Sequence, residues 1–352
     1  MIDDVLISTL DRVGRIRLNR PKAIHALTTQ MCEVMSQALL RWMLDDSVEA
    51  VVIDHTEGRG FCAGGDVVML ARSGNTDADE AKRFFFAEYR LNHLLFAYPK
   101  PTVAIMDGIT MGGGVGISLP CDFRIATENT RFAMPETSIG LFPDVGGGWY
   151  LPRLPGRVGE FMALTGARLD GAECQYLGLA THFVEQSALP DMIDRIATTP
   201  QRVQGPIGAY TKPAGEAKIE QNLPLITKLF ASDRLEDILA TLESDESDWA
   251  HKELGTLRTK SPLSCKVSLR LMAEGAKRAS FAEEMKAEYA LAGRVVRTHD
   301  FREGVRALLI DKTGEPQWDP ATPEEVTEEM LDILFAPLPR ADAWTPFPET
   351  QA

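Results

Sequence analysis

The stretch RFAMPETSIGLFPDVGGGWYLPRL (131–154) places two carboxylates and a glycine run between two apolar segments. Two other glycine-containing loops precede it, GRGFCAGGD (58–66) and DGITMGGGVGISLP (107–120). Each of the three loops follows an apolar run typical of a strand buried on both faces. These runs are 50–53, 102–106 and 123–126. Alternating strands and helices of this kind predict an α/β domain with largely parallel pairing.

The remaining elements of the first 200 residues follow from hydrophobic periodicity. The run at 5–9 predicts a first strand, and 15–18 alternates polar and apolar residues, as a half-buried strand does. Thr28 precedes apolar residues at three- and four-residue spacing, which indicates an N-cap and an amphipathic helix. A second long helix is predicted over 80–97.

The segment 199–216 is rich in Pro and Gly, and we interpret it as a boundary or irregular connection. The chain is therefore divided into a core, 1–200, and a mainly helical C-terminal region, 201–352. Helical spacing recurs at 263–272, 281–296 and 301–309. Asp300 with Glu303 three residues later resembles a capping box for the last of these helices.

Composition excludes several classes of protein. The 352 residues carry a net charge of −14, which disfavours nucleic-acid binding through a basic face. No apolar run reaches the ~20 residues of a membrane span. The acidic N-terminus resembles neither a signal peptide nor a transit peptide, so a cytoplasmic location is expected. Five widely spaced cysteines without a CxxC pair suit a reducing compartment, and no HExxH metal motif occurs.

Glycine at a strand–helix junction permits close approach of a ligand to the backbone. Such a junction also directs free N–H groups and the positive end of a helix at one point. Gly64-Gly65 and Gly112-Gly113-Gly114 would together provide two donors for an anion. Plain turn chemistry and tight packing remain the alternative explanation. The GxGxxG dinucleotide pattern and the phosphate-binding P-loop pattern are absent.

Three acidic residues could act in the same cleft. Glu136 and Asp144 flank the apolar segment SIGLFP, where lost hydration and mutual repulsion would separate their pKa values into one acid and one base. Alternatively, both residues merely stabilise turns. Glu88, next to Tyr89, lies on the apolar helix 80–97, although most helical glutamates are solvated. Cys62 could be a nucleophile, but an inert buried thiol is favoured.

The motifs FCAGGD (61–66), DGITMGGGVG (107–116) and FAMPETSIGLFPDVGGG (132–148) resemble the enoyl-CoA hydratase/isomerase family, or crotonase superfamily. NRPKA (19–23) and LTGARLDGAECQYLGLA (164–180) extend the resemblance. The MPE and FPDVGGG elements, Glu88 and HDFREGVRALLIDK (299–312) are similar to the 3-hydroxyisobutyryl-CoA hydrolase branch. The resemblance implies a crotonase-like spiral of ββα units with a C-terminal mainly helical region.

The resemblance also implies roles for individual residues. The N–H groups of Gly65 and Gly113 would form an oxyanion hole for the thioester carbonyl of an acyl-CoA. Glu136 would activate water or attack that carbonyl, and Asp144 would position the hydroxyacyl group or water and assist departure of the thiolate. Glu88 would line the acyl pocket and bind the substrate hydroxyl. Lys22 and Arg20 are candidates for the CoA phosphates, with solvated surface charges as the alternative. Neither a metal nor a separate cofactor is implied, because coenzyme A is part of the substrate.

The implied reaction is hydrolysis of a short-chain β-hydroxyacyl-CoA, with 3-hydroxyisobutyryl-CoA from valine breakdown as the expected substrate. Enoyl-CoA hydration or isomerisation is the alternative, but Gly116 stands where hydratases carry their first glutamate and dienoyl-CoA isomerases an aspartate. A non-catalytic acyl-CoA-binding protein is a further alternative. Members of the superfamily often form homo-oligomers, and the resemblance extends that expectation to this chain.

Overall fold

A six-stranded sheet lies at the centre of the structure, a computed structural model that describes residues 3–348. The strands are β1 (Val5–Leu10), β2 (Val13–Leu18), β3 (Ala50–His55), β4 (Thr102–Met106), β5 (Ile109–Met111), β6 (Phe123–Ala126), β7 (Arg131–Ala133) and β8 (His182–Phe183). The sheet order is β1-β2-β3-β4-β6-β8, antiparallel between β1 and β2 and parallel elsewhere. Strands β5 and β7 form a separate parallel pair.

Helices surround the sheet and make up most of the chain after it. They are α1 (Thr29–Met43), α2 (Val67–Gly74), α3 (Asp79–Phe96), α4 (Gly113–Gly116), α5 (Gly147–Tyr150), α6 (Val158–Thr165), α7 (Gly171–Tyr176), α8 (Leu189–Thr198), α9 (Gln204–Tyr210), α10 (Ile219–Leu229), α11 (Leu235–Ser244), α12 (Asp248–Leu257), α13 (Pro262–Gly275), α14 (Phe281–Val295), α15 (His299–Val305) and α16 (Glu328–Phe335). A π-helical turn, Arg306–Ile310, continues α15.

The sheet separates two apolar cores. On one face, side chains such as Val52 and Ile105 pack with α8 and α9, whose buried residues include Ile193 and Ile207. On the other face, Val51 and other strand residues join the larger core with α1 and α3. Because both faces are covered, strands β3 and β4 are almost wholly buried, as their continuous apolar sequences predict.

Most predicted elements are confirmed, with two exceptions. Thr28 accepts the Met31 N–H as the N-cap of α1. The predicted irregular segment 199–216, however, contains α9, which completes one of the two cores. The predicted capping role of Asp300 is wrong, because Thr298 caps α15.

Asp300 has a different function in the packing. Its side chain is fully buried and accepts hydrogen bonds from Ser261 Oγ at 2.5 Å and from the Asp319 N–H at 2.8 Å. Tertiary contacts therefore override the local capping pattern. The predicted division of the chain at residue 200 stays a prediction.

Candidate active site

A cavity of about 430 Å³ opens between the two glycine loops, α3, the turn that carries Glu136 and the π-helical turn near the C-terminus. Its lining brings together most of the predicted site residues. Gly65, Gly113, Glu88, Glu136 and Asp144 all contribute to its wall. The core and the C-terminal part of the chain therefore build one cleft.

The glycine loops contact each other at one end of this cavity. A Cβ placed on Gly113 would lie 2.5 Å from Glu88 Oε1 and 3.3 Å from the Gly64 carbonyl carbon. A Cβ on Gly65 would lie 2.7 Å from the ring of Phe84. Glycine at these positions therefore allows a backbone approach that no side chain could accommodate.

The N–H groups of Gly65 and Gly113 have no backbone acceptor among residues 3–348. Leu27 and Gly65 form a parallel bridge that uses the N–H groups of Leu27 and Asp66, and the N–H of Gly65 donates to no backbone acceptor within residues 3–348. Gly113 is the first residue of α4, so its N–H has no acceptor inside that helix. Both groups are suited to bind an oxygen atom in the cavity.

Three carboxyl groups face this cavity with little exposure to solvent. Glu88 is 2% exposed, and Glu136 and Asp144 are each 5% exposed. Glu88 Oε1 and Glu136 Oε2 are buried and have no hydrogen-bond partner among the described residues. Buried polar atoms are normally satisfied, so unpartnered oxygens in a cleft mark it as a binding site.

Burial gives the carboxyl groups of Glu136 and Asp144 higher pKa values than those of ordinary surface acids. Desolvation raises the pKa of Glu136 well above its usual value, and the charge of Asp144 raises it further. Desolvation also raises the pKa of Asp144, to about 6, while the hydroxyl of Tyr89 opposes this change by donating to Asp144 Oδ2 at 2.8 Å. Asp144 is therefore the more easily ionised member of the pair.

Glu88 is the clearest case of a buried acid, because desolvation, Asp144 and Glu136 all raise its pKa. A carboxyl group whose pKa is higher in the folded than in the unfolded state lowers the free energy of unfolding as pH rises. This loss accumulates between the unfolded-state pKa and the folded-state pKa. We expect Glu88→Gln to be more stable than the wild type at pH 8. Between the two pKa values, the difference in the free energy of unfolding between Glu88→Gln and the wild type should grow by up to ~1.4 kcal/mol per pH unit.

Urea denaturation of both proteins between pH 5 and pH 8 measures this difference. The control is Glu80→Gln, an exposed glutamate on the same helix, with an expected effect below ~1 kcal/mol. A Glu88→Gln variant whose stability difference does not change with pH would show that Glu88 is not held in a desolvated site.

Gly116 has no space for the side chain that hydratases carry at this position. A Cβ there would lie 2.7 Å from Val145 Cβ and 2.8 Å from Asn92 Nδ2. Both of those residues are buried. The structure thus fills this position with apolar and amide groups and places its second carboxylate, Asp144, in another part of the cavity.

Other sequence candidates lie elsewhere or are inert. Lys22 is exposed and does not line the cavity. The guanidinium of Arg20 donates to the Ala26 carbonyl and lies near Asp4 and Asp66. A role of either cation toward CoA phosphates stays a prediction. Cys62 is fully buried, and burial raises the pKa of its thiol to about 12, so it is no nucleophile.

Several lining residues could not be found by sequence reasoning. The sequence marks Tyr89 only as the neighbour of Glu88, although its hydroxyl donates a hydrogen bond to Asp144. Arg168 contributes an exposed cation to the wall. Leu308 and Leu309 complete the wall from the π-helical turn. Leu308 and Leu309 belong to the branch-specific element 299–312, but this motif assigns no role to its single residues.

Residues 3–348 hold no cluster of His, Cys, Asp or Glu with the arrangement of a metal site. Within the same residues, every helix is too short or too polar to cross a bilayer.

This combination of a glycine-loop donor pair and buried carboxyls defines a class of acyl-CoA-processing proteins. The family model for enoyl-CoA hydratase/isomerase matches residues 13–335, and the chain belongs to that family. It is 42% identical to 3-hydroxyisobutyryl-CoA hydrolase, mitochondrial, from Xenopus tropicalis over 348 residues, 96% of this chain and 90% of that protein. The human protein of the same name is 40% identical, over 97% of this chain and 90% of its own length.

Solved structures confirm the predicted crotonase-like fold. A carnitinyl-CoA dehydratase from Mycobacterium thermoresistibile matches with a TM-score of 0.92 and 38% identity, over 96% of this chain and 98% of that one. An enoyl-CoA hydratase from Rhodobacter sphaeroides matches with a TM-score of 0.90 and 38% identity, over 97% and 100%. The names of these relatives thus include a hydrolase, a dehydratase and a hydratase.

The same relatives bear on the predicted location. The hydrolases from Xenopus tropicalis and human are both named as mitochondrial proteins. They lend no support to the cytoplasmic location predicted from the N-terminal sequence, which stays a prediction.

Proposed function

We propose that this protein hydrolyses a short-chain β-hydroxyacyl-CoA thioester, with 3-hydroxyisobutyryl-CoA as the preferred substrate. The observation that carries this proposal is the placement of Glu136 and Asp144 in one cavity with the free N–H groups of Gly65 and Gly113. The names of the hydrolase relatives support the choice of thioester.

The thioester carbonyl would enter between the glycine loops. Its oxygen would accept hydrogen bonds from the N–H groups of Gly65 and Gly113. Gly65 lies beside Phe84, and Gly113 lies beside Glu88 and Gly64 across the loop contact. Negative charge develops on this oxygen when water attacks, so each donor contributes about 2.7–4 kcal/mol to the tetrahedral state. Neither a metal nor a separate cofactor takes part in this proposal.

The two pKa values divide the proton transfers between Glu136 and Asp144. At neutral pH, Asp144 is ionised and removes a proton from the attacking water. Glu136 keeps its proton and gives it to the thiolate as the C–S bond breaks. The products are the free hydroxy acid and CoA-SH, and the proton then returns from Asp144 to Glu136. The family resemblance instead implies that Glu136 is the general base or the nucleophile.

The rest of the cavity would select the acyl group. Glu88, protonated because of its burial, would donate to the substrate hydroxyl. Apolar side chains close the cavity around this position, including Phe85 and Leu141 from the core and Leu309 from the C-terminal part. A short acyl chain with one hydroxyl group fits this lining.

The test is a panel of acyl-CoA thioesters, with thiol release followed by a colorimetric reagent. We expect 3-hydroxyisobutyryl-CoA to give the highest kcat/KM, ahead of the 3-hydroxy thioesters of longer chains. Crotonyl-CoA absorbance, measured in the same samples, reports hydration. Binding of the thioesters without thiol release, or hydration faster than hydrolysis, would contradict the proposal and favour a binding protein or a hydratase.

Turnover in ¹⁸O-labelled water distinguishes the two roles of Glu136. Direct attack by water places the label in the hydroxy acid and leaves the protein unlabelled. A covalent anhydride on Glu136 that water opens at the glutamyl carbonyl would leave ¹⁸O in the Glu136 carboxyl group, and mass spectrometry of the peptide after proteolysis detects it. Label in that peptide would return Glu136 to the nucleophile role.

A further inference from the structure

The three glycines after Asp144 take no part in the proposed chemistry, yet they lie against the C-terminal part of the chain. A Cβ on Gly148 would lie 2.1 Å from Glu284 Oε1, and one on Gly146 would lie 2.8 Å from the ring of Phe281. Both contacts come from α14. The glycine run is therefore the surface on which α14 docks.

Glu288, also on α14, holds this loop through its backbone. Its Oε2 accepts the Gly146 N–H at 2.8 Å, and its Oε1 accepts the Gly148 N–H at 3.1 Å. The side chain is fully buried. A carboxylate that accepts two backbone N–H groups fixes both the position and the orientation of the segment between them.

Val145, between Asp144 and this clamp, has an unusual backbone conformation. Its φ is +52°, in the left-handed region that a β-branched residue rarely adopts. Such strain persists only where the surroundings enforce it, and it concentrates at functional sites. The clamp lies on one side of Val145, and on the other side its own side chain is packed against Gly116.

We propose that Glu288 is a positioning residue for Asp144. Its carboxylate holds the N–H groups of Gly146 and Gly148, keeps Val145 in the left-handed conformation and so directs the Asp144 side chain into the cavity. This inference rests on the proposed hydrolysis, since it assigns Glu288 to the placement of the general base.

The test is the Glu288→Gln variant, assayed for thiol release from 3-hydroxyisobutyryl-CoA. The amide replaces one acceptor oxygen with an NH₂ group that faces a loop N–H, so the clamp opens on that side. We expect kcat to fall by about 10–100-fold, because a small displacement of a catalytic group has effects of this order. KM should stay within about threefold, since the acyl pocket is unchanged.

Two further variants separate positioning from stability. Glu160→Gln removes the ion pair between the buried Glu160 and Arg157, which has an N–O distance of 3.0 Å, and leaves Glu288 and its loop contacts untouched. It should lose stability while kcat stays within about threefold of the wild type. Adding Val145→Gly to Glu288→Gln makes the left-handed conformation easy to adopt, and we expect this double variant to recover at least part of the lost kcat.

The outcomes distinguish the inference from the function on which it rests. A wild-type protein without thioester hydrolysis refutes the proposed function itself. An active wild type with unchanged kcat in Glu288→Gln refutes the positioning role alone, as does a crystal structure of that variant with an unmoved 144–148 backbone. Should Glu288→Gln fail to fold, Glu288→Asp keeps the charge but withdraws the carboxylate, and the same loss of kcat is expected.

Discussion

Glu136→Gln and Asp144→Asn should each lower kcat for thioester hydrolysis by about 10²–10⁴-fold, the contribution of a general acid or base. Both changes preserve shape, and both remove a proton donor or acceptor from a cavity in which these side chains are almost fully buried. KM should change much less, because the glycine loops and the apolar wall remain in place.

The pH dependence of kcat distinguishes Asp144→Asn from Glu136→Gln. Protonation of Asp144 removes the base, so wild-type kcat should fall as pH decreases through about 6, the pKa to which burial raises this carboxyl. This acid limb should be lost in the residual activity of Asp144→Asn and kept in that of Glu136→Gln. The double variant should be little worse than either single one, because residues that act as a unit are not additive.

Asp46→Asn is the matched control for both variants. Asp46 is exposed on the loop after α1, so the same change of functional group should leave kcat unaffected. Stopped-flow thiol detection gives kcat and KM for the wild type, for the two single variants and for the Asp46→Asn control. Thiol release within about threefold of the wild type in either Glu136→Gln or Asp144→Asn would refute the assigned roles.

Gly113→Ala should lower kcat/KM by about 10²–10³-fold, the effect of removing one donor from an oxyanion hole. The added methyl group would lie 2.5 Å from Glu88 Oε1 and 3.0 Å from Leu27 Cδ1. Since real Cβ atoms do not approach so closely, either the Glu88 carboxyl group or the start of α4 with the N–H of Gly113 must move, and both line the cavity. Overpacking of this kind also destabilises by about 1–3 kcal/mol.

Gly255→Ala is the control for Gly113→Ala. Gly255 lies within α12, and nothing else would come within 4 Å of its Cβ. Alanine there should raise stability by up to ~1 kcal/mol and leave hydrolysis unchanged. Equal activity of the two alanine variants would exclude the proposed oxyanion hole, whereas thermal melts reveal whether lost activity reflects unfolding.

Patterns carried by neighbouring residues were sufficient to predict most of the core of the fold. The apolar runs 50–53 in β3 and 102–106 in β4 predict strands that are buried on both faces, as the structure confirms. Thr28 predicts the start of α1 because a cap needs one hydroxyl and one nearby N–H. These elements depend on contacts within a few residues.

The predictions that failed or stayed open depend on distant parts of the chain. The sequence around Asp300 satisfies a capping pattern, but Ser261 and Asp319 take up both of its oxygens. The apolar helix around Glu88 leaves both a solvated and a partly buried side chain open. The structure buries it, with Gly113, a residue of another loop, packed beside its carboxyl group.

The family motifs mark the candidate site residues as a group, and their catalytic roles stay a prediction. Glu136 and Asp144 lie on the segment that carries the motif, and their cavity also contains Gly65 and Gly113. The motif could not reveal which carboxyl ionises first. That order depends on the hydrogen bond from Tyr89 to Asp144, a contact between residues 55 positions apart.

The bond between Gly146 and Glu288 joins residues 142 positions apart, and this separation has a consequence for biosynthesis. A ribosome adds about 5–20 residues per second, so the loop after Asp144 is synthesised many seconds before α14 can reach it. Nascent chains that end before residue 288 would carry both glycine junctions and all three acids but lack the clamp. Catalytic competence should therefore arise late, when the segment that contains Glu288 leaves the exit tunnel.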